Sequence, residues 1–183
     1  MGKRGNGVLE KNWVALLQNQ NQLEKVLETN QASEKFGLVL SEEEAGLILE
    51  EHRNTLQEQR RIEFGESIIS RIIYEFCDSD YIDQTHYAET IIRLQQIFYQ
   101  YKNDVMDQMT DDELLHFMKD QFEQVCYGDL DYLEGTCLSD LAQAIRLGTV
   151  DFRRSDRCEN YSKSDDRKRW DSELYLETLK DLF

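Results

Sequence analysis

The stretch Ser67-Ile68-Ile69-Ser70-Arg71-Ile72-Ile73-Tyr74-Glu75-Phe76-Cys77 decides the reading of this chain. Ile68, Ile69, Ile72, Ile73 and Phe76 recur with the 3.6-residue period of an α-helix. The spacing predicts a short helix at 66–76. Its two adjacent isoleucine pairs widen the apolar surface beyond a single stripe, which places the helix at the centre of a core.

Working outward, Gly65 marks a break before this helix, and Cys77-Asp78-Ser79-Asp80 reads as a turn after it. Upstream, Ser41 with Glu44 has the spacing of a capping box and opens a helix at 42–62. Ala45, Ile48, Leu49, His52 and Leu56 share its inner face. The segment Phe36-Gly37-Leu38-Val39-Leu40 before it is a short apolar entry. Trp13, Leu16, Leu17, Leu23, Val26 and Leu27 fall on one face of an N-terminal helix at 10–29. Its Gln and Asn residues make that helix dependent on packing. Downstream, Ala88, Ile91, Ile92, Leu94, Ile97, Phe98 and Tyr101 mark a long helix at 83–107, which would span roughly 35 Å. Thr110 and Glu113 form a second capping box, for a helix at 111–124. Leu130, Leu133, Cys137, Leu138, Leu141, Ala144 and Ile145 give a 3–4 stripe at 129–147, with Gly148 as its C-terminal cap. Proline is absent, so none of these helices meets the residue that most strongly interrupts them. The expected fold is all-α, an irregular bundle of about six helices.

The chain has 183 residues, enough for one cored domain with an appendage. It carries 37 acids against 21 bases, a formal net charge of −16. That charge argues against nucleic acid and anionic membrane as partners. No apolar run approaches the roughly 20 residues that span a bilayer, and Met1-Gly2-Lys3-Arg4 is not followed by the apolar block of a signal peptide. A cytoplasmic location is expected. Seventeen residues are Phe or Tyr, too aromatic for a wholly disordered chain.

The acidity is uneven. Residues 12–148 hold ten bases and 27 acids, whereas 149–170 hold seven bases and five acids with almost no aliphatic side chains. The organisation read from this is an acidic helical domain at 1–148, a charged linker or arm at 149–169, and a short amphipathic helix at 170–183. Arg167, Lys168 and Arg169 in the arm are candidates for contact with an acidic partner.

Candidate chemistry is sparse. Cys77, Cys126, Cys137 and Cys158 show no CxxC spacing, and the first three read as small buried hydrophobes. Glu113 and His116 form an E-x-x-H pair that shares a helix face, the spacing of carboxylate-bridged metal bundles. They are the candidate metal ligands, although a second such pair is missing. Asp78, Asp80 and Glu89 fall at positions 1, 3 and 12 of a twelve-residue loop. Ile82 and Asp83 then stand where a calcium loop needs an oxygen ligand and a glycine. No nucleophile elbow, P-loop or dinucleotide fingerprint occurs. No catalytic residue and no cofactor are assigned. Tyr74, Tyr81, Tyr87 and Tyr99 are candidates for an exposed aromatic patch, and such a patch would bind a protein partner.

Several stretches together resemble a small uncharacterised family of clostridial-type bacteria, a domain of unknown function. They are Gly37-Leu38-Val39-Leu40-Ser41, Arg61-Ile62-Glu63-Phe64-Gly65, Phe76-Cys77-Asp78-Ser79-Asp80-Tyr81, Glu89-Thr90-Ile91-Ile92-Arg93-Leu94-Gln95, Phe98-Tyr99-Gln100-Tyr101-Lys102-Asn103 and Thr110-Asp111-Asp112-Glu113-Leu114. The resemblance covers roughly 12–148 and implies a bacterial, cytoplasmic, helical protein. It transfers no activity, ligand or site residue. One departure is Asp80, where the resemblance leads one to expect proline. The function expected is a non-enzymatic protein-interaction or regulatory module. The alternative is a metal-dependent enzyme with a carboxylate/His site in the bundle.

Overall fold

The computed structural model of the chain describes residues 20–148. The predicted arm at 149–169, the terminal helix at 170–183 and the start of the N-terminal helix lie outside the described residues.

Within them the fold is all-α, with no strand among the described residues. Helix α1 covers residues 20–28, followed by single turns at Asn30–Ser33 and Glu34–Phe36. Then come α2, Glu42–Glu58; α3, Ile68–Phe76; α4, Tyr87–Asp104; and α5, Asp111–Gln124. A last helical rod joins Leu130–Tyr132, Leu133–Leu138 and Ser139–Arg146, and is called α6 throughout.

Both capping boxes form. Ser41 Oγ accepts the Glu44 N–H at 3.2 Å while Glu44 accepts the Ser41 N–H at 2.8 Å. Thr110 and Glu113 repeat the arrangement at 3.2 and 2.7 Å. Each box satisfies two helix-end donors that would otherwise lack partners.

Helix α4 is the hub: α2, α3, α5 and α6 all pack on it. It is buried nearly all the way round, on Ile91, Leu94, Ile97, Phe98, Tyr99 and Tyr101. The five apolar residues of α3 are buried as predicted, against α4 and α5. The sequence expectation of α3 as the centre is therefore right about burial, but the longer helix organises the bundle.

The segment after Gly37 is held without a sheet. Asn30 donates from Nδ2 to the Leu40 carbonyl and accepts the Leu40 N–H, both at 2.8 Å. Gln84 does the same for Val39, at 2.8 and 2.7 Å. Two side-chain amides thus take the place of a neighbouring strand, leaving Leu38 and Leu40 buried and Val39 outside.

Three helices depart from their predicted bounds, each for a local reason. The helix predicted at 83–107 begins as a tighter turn at Gln84–His86. Asp83 caps that turn by accepting the Thr85 and His86 N–H groups at 2.8 and 3.2 Å. The helix predicted at 129–147 contains a widened turn at Leu133–Leu138 with i→i+5 hydrogen bonding. Leu133 and Leu138 are both fully buried. Five residues of ordinary α-helix would set them about 140° apart, and the wider turn brings both to one face.

The helix predicted at 42–62 stops at Glu58. It closes with the Arg61 N–H on the Leu56 carbonyl at 2.8 Å and the Arg60 N–H on Gln57 at 3.2 Å. This is a Schellman closure with Arg60 at the left-handed position, φ 54°. Glycine occupies that position without a Cβ penalty. Arg60→Gly is expected to stabilise the fold by about 1 kcal/mol, read as a higher urea midpoint at unchanged m-value.

Candidate functional site

Sequence alternation places the site. Between α2 and α3, residues 61–64 run Arg-Ile-Glu-Phe in neither helix nor turn. Arg61 and Glu63 face inward and are half-buried. Ile62 and Phe64 face outward, 77% and 87% exposed. The period of two is that of extended chain, but its polarity is inverted: polar groups in, apolar groups out.

The inward groups pin the segment to α4. Arg61 donates from Nε to Asn103 Oδ1 at 2.6 Å and makes a two-pronged pair with Asp107 at 2.7 and 3.0 Å. It also reaches the Lys102 carbonyl at 3.2 Å. Asn103 in turn donates to the Gln59 side chain at 2.8 Å. The planar guanidinium suits this paired geometry, which fixes direction as well as distance.

Glu63 is the second pin. Its Oε1 accepts the Ile68 N–H at 2.6 Å and the Tyr99 hydroxyl at 2.9 Å. Its Oε2 lies 3.1 Å from His52 Nε2. The other imidazole nitrogen, Nδ1, lies 3.0 Å from Gln95 Oε1, and the Gln95 amide donates to the Ile48 carbonyl at 3.5 Å. His52 is 3% exposed and Gln95 fully buried. Both imidazole nitrogens therefore face oxygen. Burial pushes the Glu63 carboxyl up. The hydrogen bonds from His52 and the Ile68 N–H, the His52 charge and the Tyr99 hydroxyl outweigh it and hold the group below the usual carboxylate value. Burial, then the Glu63 charge, raise the Tyr99 phenol far above its ordinary value. At neutral pH this leaves a carboxylate acceptor and a neutral phenol donor, a structural pair.

Below the segment a cleft of about 510 Å³ opens. Phe98 and Tyr99 form part of its wall, with Arg71, Lys102, Asp111 and Asp112 around it. Lys102 Nζ donates to the Met109 carbonyl and pairs with Asp111 at 2.9 Å. Arg71 pairs with Asp111 at 3.1 Å and with Asp112. Burial would raise the Asp111 carboxyl, but the Lys102 ammonium and the Arg71 guanidinium hold it below its ordinary value. Arg71 and Lys102 are thus already matched by carboxylates of the same cleft, and Arg61 by Asp107 beside it. This is an internally compensated charge network, with Ile62 and Phe64 standing proud of it.

The family model of DUF6323, a family of unknown function, matches residues 25–151, well over half the chain. The chain belongs to DUF6323. No curated protein and no solved structure matches it.

For this DUF6323 chain the residues singled out by sequence fall in separate places. Glu113 is engaged in capping α5 through its Oε2. His116, half exposed, faces Glu75 at 3.4 Å and Asp120 at 3.7 Å. The E-x-x-H pair therefore does not converge: one member serves the helix start and the other a surface pairing. Among the described residues no three His, Cys, Asp or Glu side chains cluster as a metal site. Asp78 pairs with Lys119, and Asp83 caps the turn at Gln84–His86.

Of the four tyrosines, Tyr74 and Tyr81 are exposed, while Tyr87 and Tyr99 are buried. Four residues on one surface is therefore not the arrangement. Tyr99 lies off the α4 stripe, as its spacing requires, but α4 is covered on that side by the 61–64 segment, so no outward face exists there. Burial pushes the Tyr87 phenol up to about 12. Tyr81 instead packs edge-on against Phe122 and Tyr127. Arg167, Lys168 and Arg169 lie outside the described residues. No helix among the described residues is long and apolar enough to cross a membrane.

Sequence reasoning missed Gln95 and the pinning role of Arg61 and Glu63. One signal was available: Gln95 and Tyr99 are four residues apart on α4, and His52 already sat on the inner face of α2. A polar triplet on inward faces calls for mutual partners.

Proposed function

We propose that this chain is a non-enzymatic protein-interaction module that docks through the ledge formed by Ile62 and Phe64. The observation carrying the reading is the inverted polarity of residues 61–64. Folding alone favours apolar groups inside. Here two large apolar side chains are held in water by a backbone that Arg61 and Glu63 fasten to α4, to the turn after it and to the start of α3. Ordering them beforehand lowers the entropy lost on association. Two adjacent apolar anchors ringed by charged groups match the usual pattern of an interface centre and rim. The partner implied is a protein with an apolar pocket and a polar border.

The test is a photo-crosslinking residue at the exposed position 66, beside the ledge, in the source cell, with Ile62→Ser and Phe64→Ser as variants. The expected result is one stoichiometric crosslinked protein, at least tenfold weaker capture by the variants, and unchanged unfolding midpoints. Capture that is equal for wild type and both variants would overturn the reading.

A further inference from the structure

A second feature lies at the far end of α5 from its capping box. Cys126, just past α5, has its Sγ 3.6 Å from Sγ of Cys137, in the widened turn of α6. Both are thiols in this structure. We propose that Cys126 and Cys137 form an oxidation site that a hydroperoxide converts to an intramolecular disulfide.

The geometry supports closure. A disulfide needs the sulfurs at about 2.05 Å, so each must move by less than 1 Å. The backbone on both sides is irregular. Tyr127 and Gly128 follow Cys126 in left-handed conformations, φ 50° and 88°. Gly135 precedes Cys137 with open space where a Cβ would stand. The closed loop spans eleven positions in sequence, which leaves little rearrangement between the two ends.

The roles of the two sulfurs differ. Cys137 is half-buried and within reach of a small oxidant, whereas Cys126 is buried. Burial, then the hydrogen bond with Cys137, push the Cys126 thiol up to about 12. Burial also raises Cys137, and the hydrogen bond from Cys126 opposes that rise. Cys137, the more exposed of the two, is the sulfur that meets the oxidant first. Its thiolate forms an S–O bond as the peroxide O–O bond breaks, and the departing hydroxide takes a proton to become water. Cys126 sulfur then attacks the sulfenic acid on Cys137. The S–S bond forms, the S–O bond breaks, and the leaving hydroxide takes the Cys126 proton as a second water. Two thiols lose two electrons and the hydroperoxide gains them. A dithiol reductant reverses the step by exchange.

The test uses hydrogen peroxide on the folded full-length chain, followed by alkylation and peptide mapping. The expected result is a crosslink between the peptides of Cys126 and Cys137, two thiols lost per chain, and full recovery with dithiothreitol. In Cys126→Ser the reaction is expected to stop at Cys137 sulfenic acid, trapped by dimedone. In Cys137→Ser, Cys126 is expected to stay alkylatable. The wild-type map needs no variant to fold. Both thiols surviving peroxide that oxidises free cysteine in the same tube would overturn the proposal. So would a crosslink that joins either sulfur to Cys77, to Cys158 or to a second chain.

Discussion

Glu63→Ala is expected to destabilise the fold by about 3–4 kcal/mol, the range for removing one partner from a buried polar pair. The loss arises because one carboxylate serves three donors. Without it the Ile68 N–H, the Tyr99 hydroxyl and the imidazole of His52 lose their acceptor together. Each orphaned buried donor costs roughly 1–3 kcal/mol, and access of water to the side-chain position keeps the sum below the upper limit. Glu63→Gln is expected to cost less, about 1–2 kcal/mol, because an amide keeps an acceptor for Ile68 and Tyr99. Its new N–H group then donates to His52 Nε2, while Nδ1–H donates to Gln95. Urea unfolding at neutral pH separates the two variants.

The same carboxylate carries a pH signature. Its folded value lies below the ordinary 4.5. Stability from Glu63 is therefore fully present above about 4.5 and is lost as pH falls through the lower folded value. Protonated Glu63 resembles the amide, so the gap between wild type and Glu63→Gln is expected to close as pH falls below about 4.5. Asp111 and Glu44 are also held low in the fold. They act equally in both proteins and cancel in the difference. A gap that does not close below about 4.5 would show that Glu63 is not stabilised as a carboxylate.

These expectations rest on a network that the sequence only partly displayed. Periodicity located every helix of the described core, because burial of an apolar face leaves a mark at fixed spacing. Ser41 with Glu44 and Thr110 with Glu113 were legible because a capping box is closed within four residues. The 61–64 segment was not. Its pins to α4 and the turn after it join residues 36 to 46 positions apart, and no local spacing encodes which of many glutamates and arginines will find a buried partner. Tyr99 illustrates the same limit: its angle on the helix follows from sequence, but whether another segment covers that side does not. The widened turn in α6 was hidden for a related reason. Leu133 and Leu138 fit a 3–4 stripe loosely through their neighbours, and only the packing of both against one surface selects the wider turn.

Phe76→Ala and Phe64→Ala are expected to give opposite results from the same chemical deletion. Phe76 is fully buried at the end of α3, edge-on to Phe122 with ring centroids 5.7 Å apart. Removing its ring leaves a cavity between α3 and α5 and is expected to cost about 3–5 kcal/mol. The Phe76–Phe122 pair should show a coupling of about 0.5–1.5 kcal/mol in a double-mutant cycle, since the rings meet in the favourable edge-to-face arrangement. Tyr81 also packs edge-on to Phe122, so losing Phe76 should loosen the turn that carries Tyr81. Faster amide exchange at residues 77–82 would report it. Phe64 has no such neighbours, and its deletion is expected to change stability by less than about 0.5 kcal/mol. If the ledge is a docking point, that variant keeps its fold and loses its partner, whereas Phe76→Ala loses binding only in step with unfolding. Binding measured against the folded fraction separates the two. A Phe64→Ala protein that binds as wild type would leave its ring without a role in either folding or recognition.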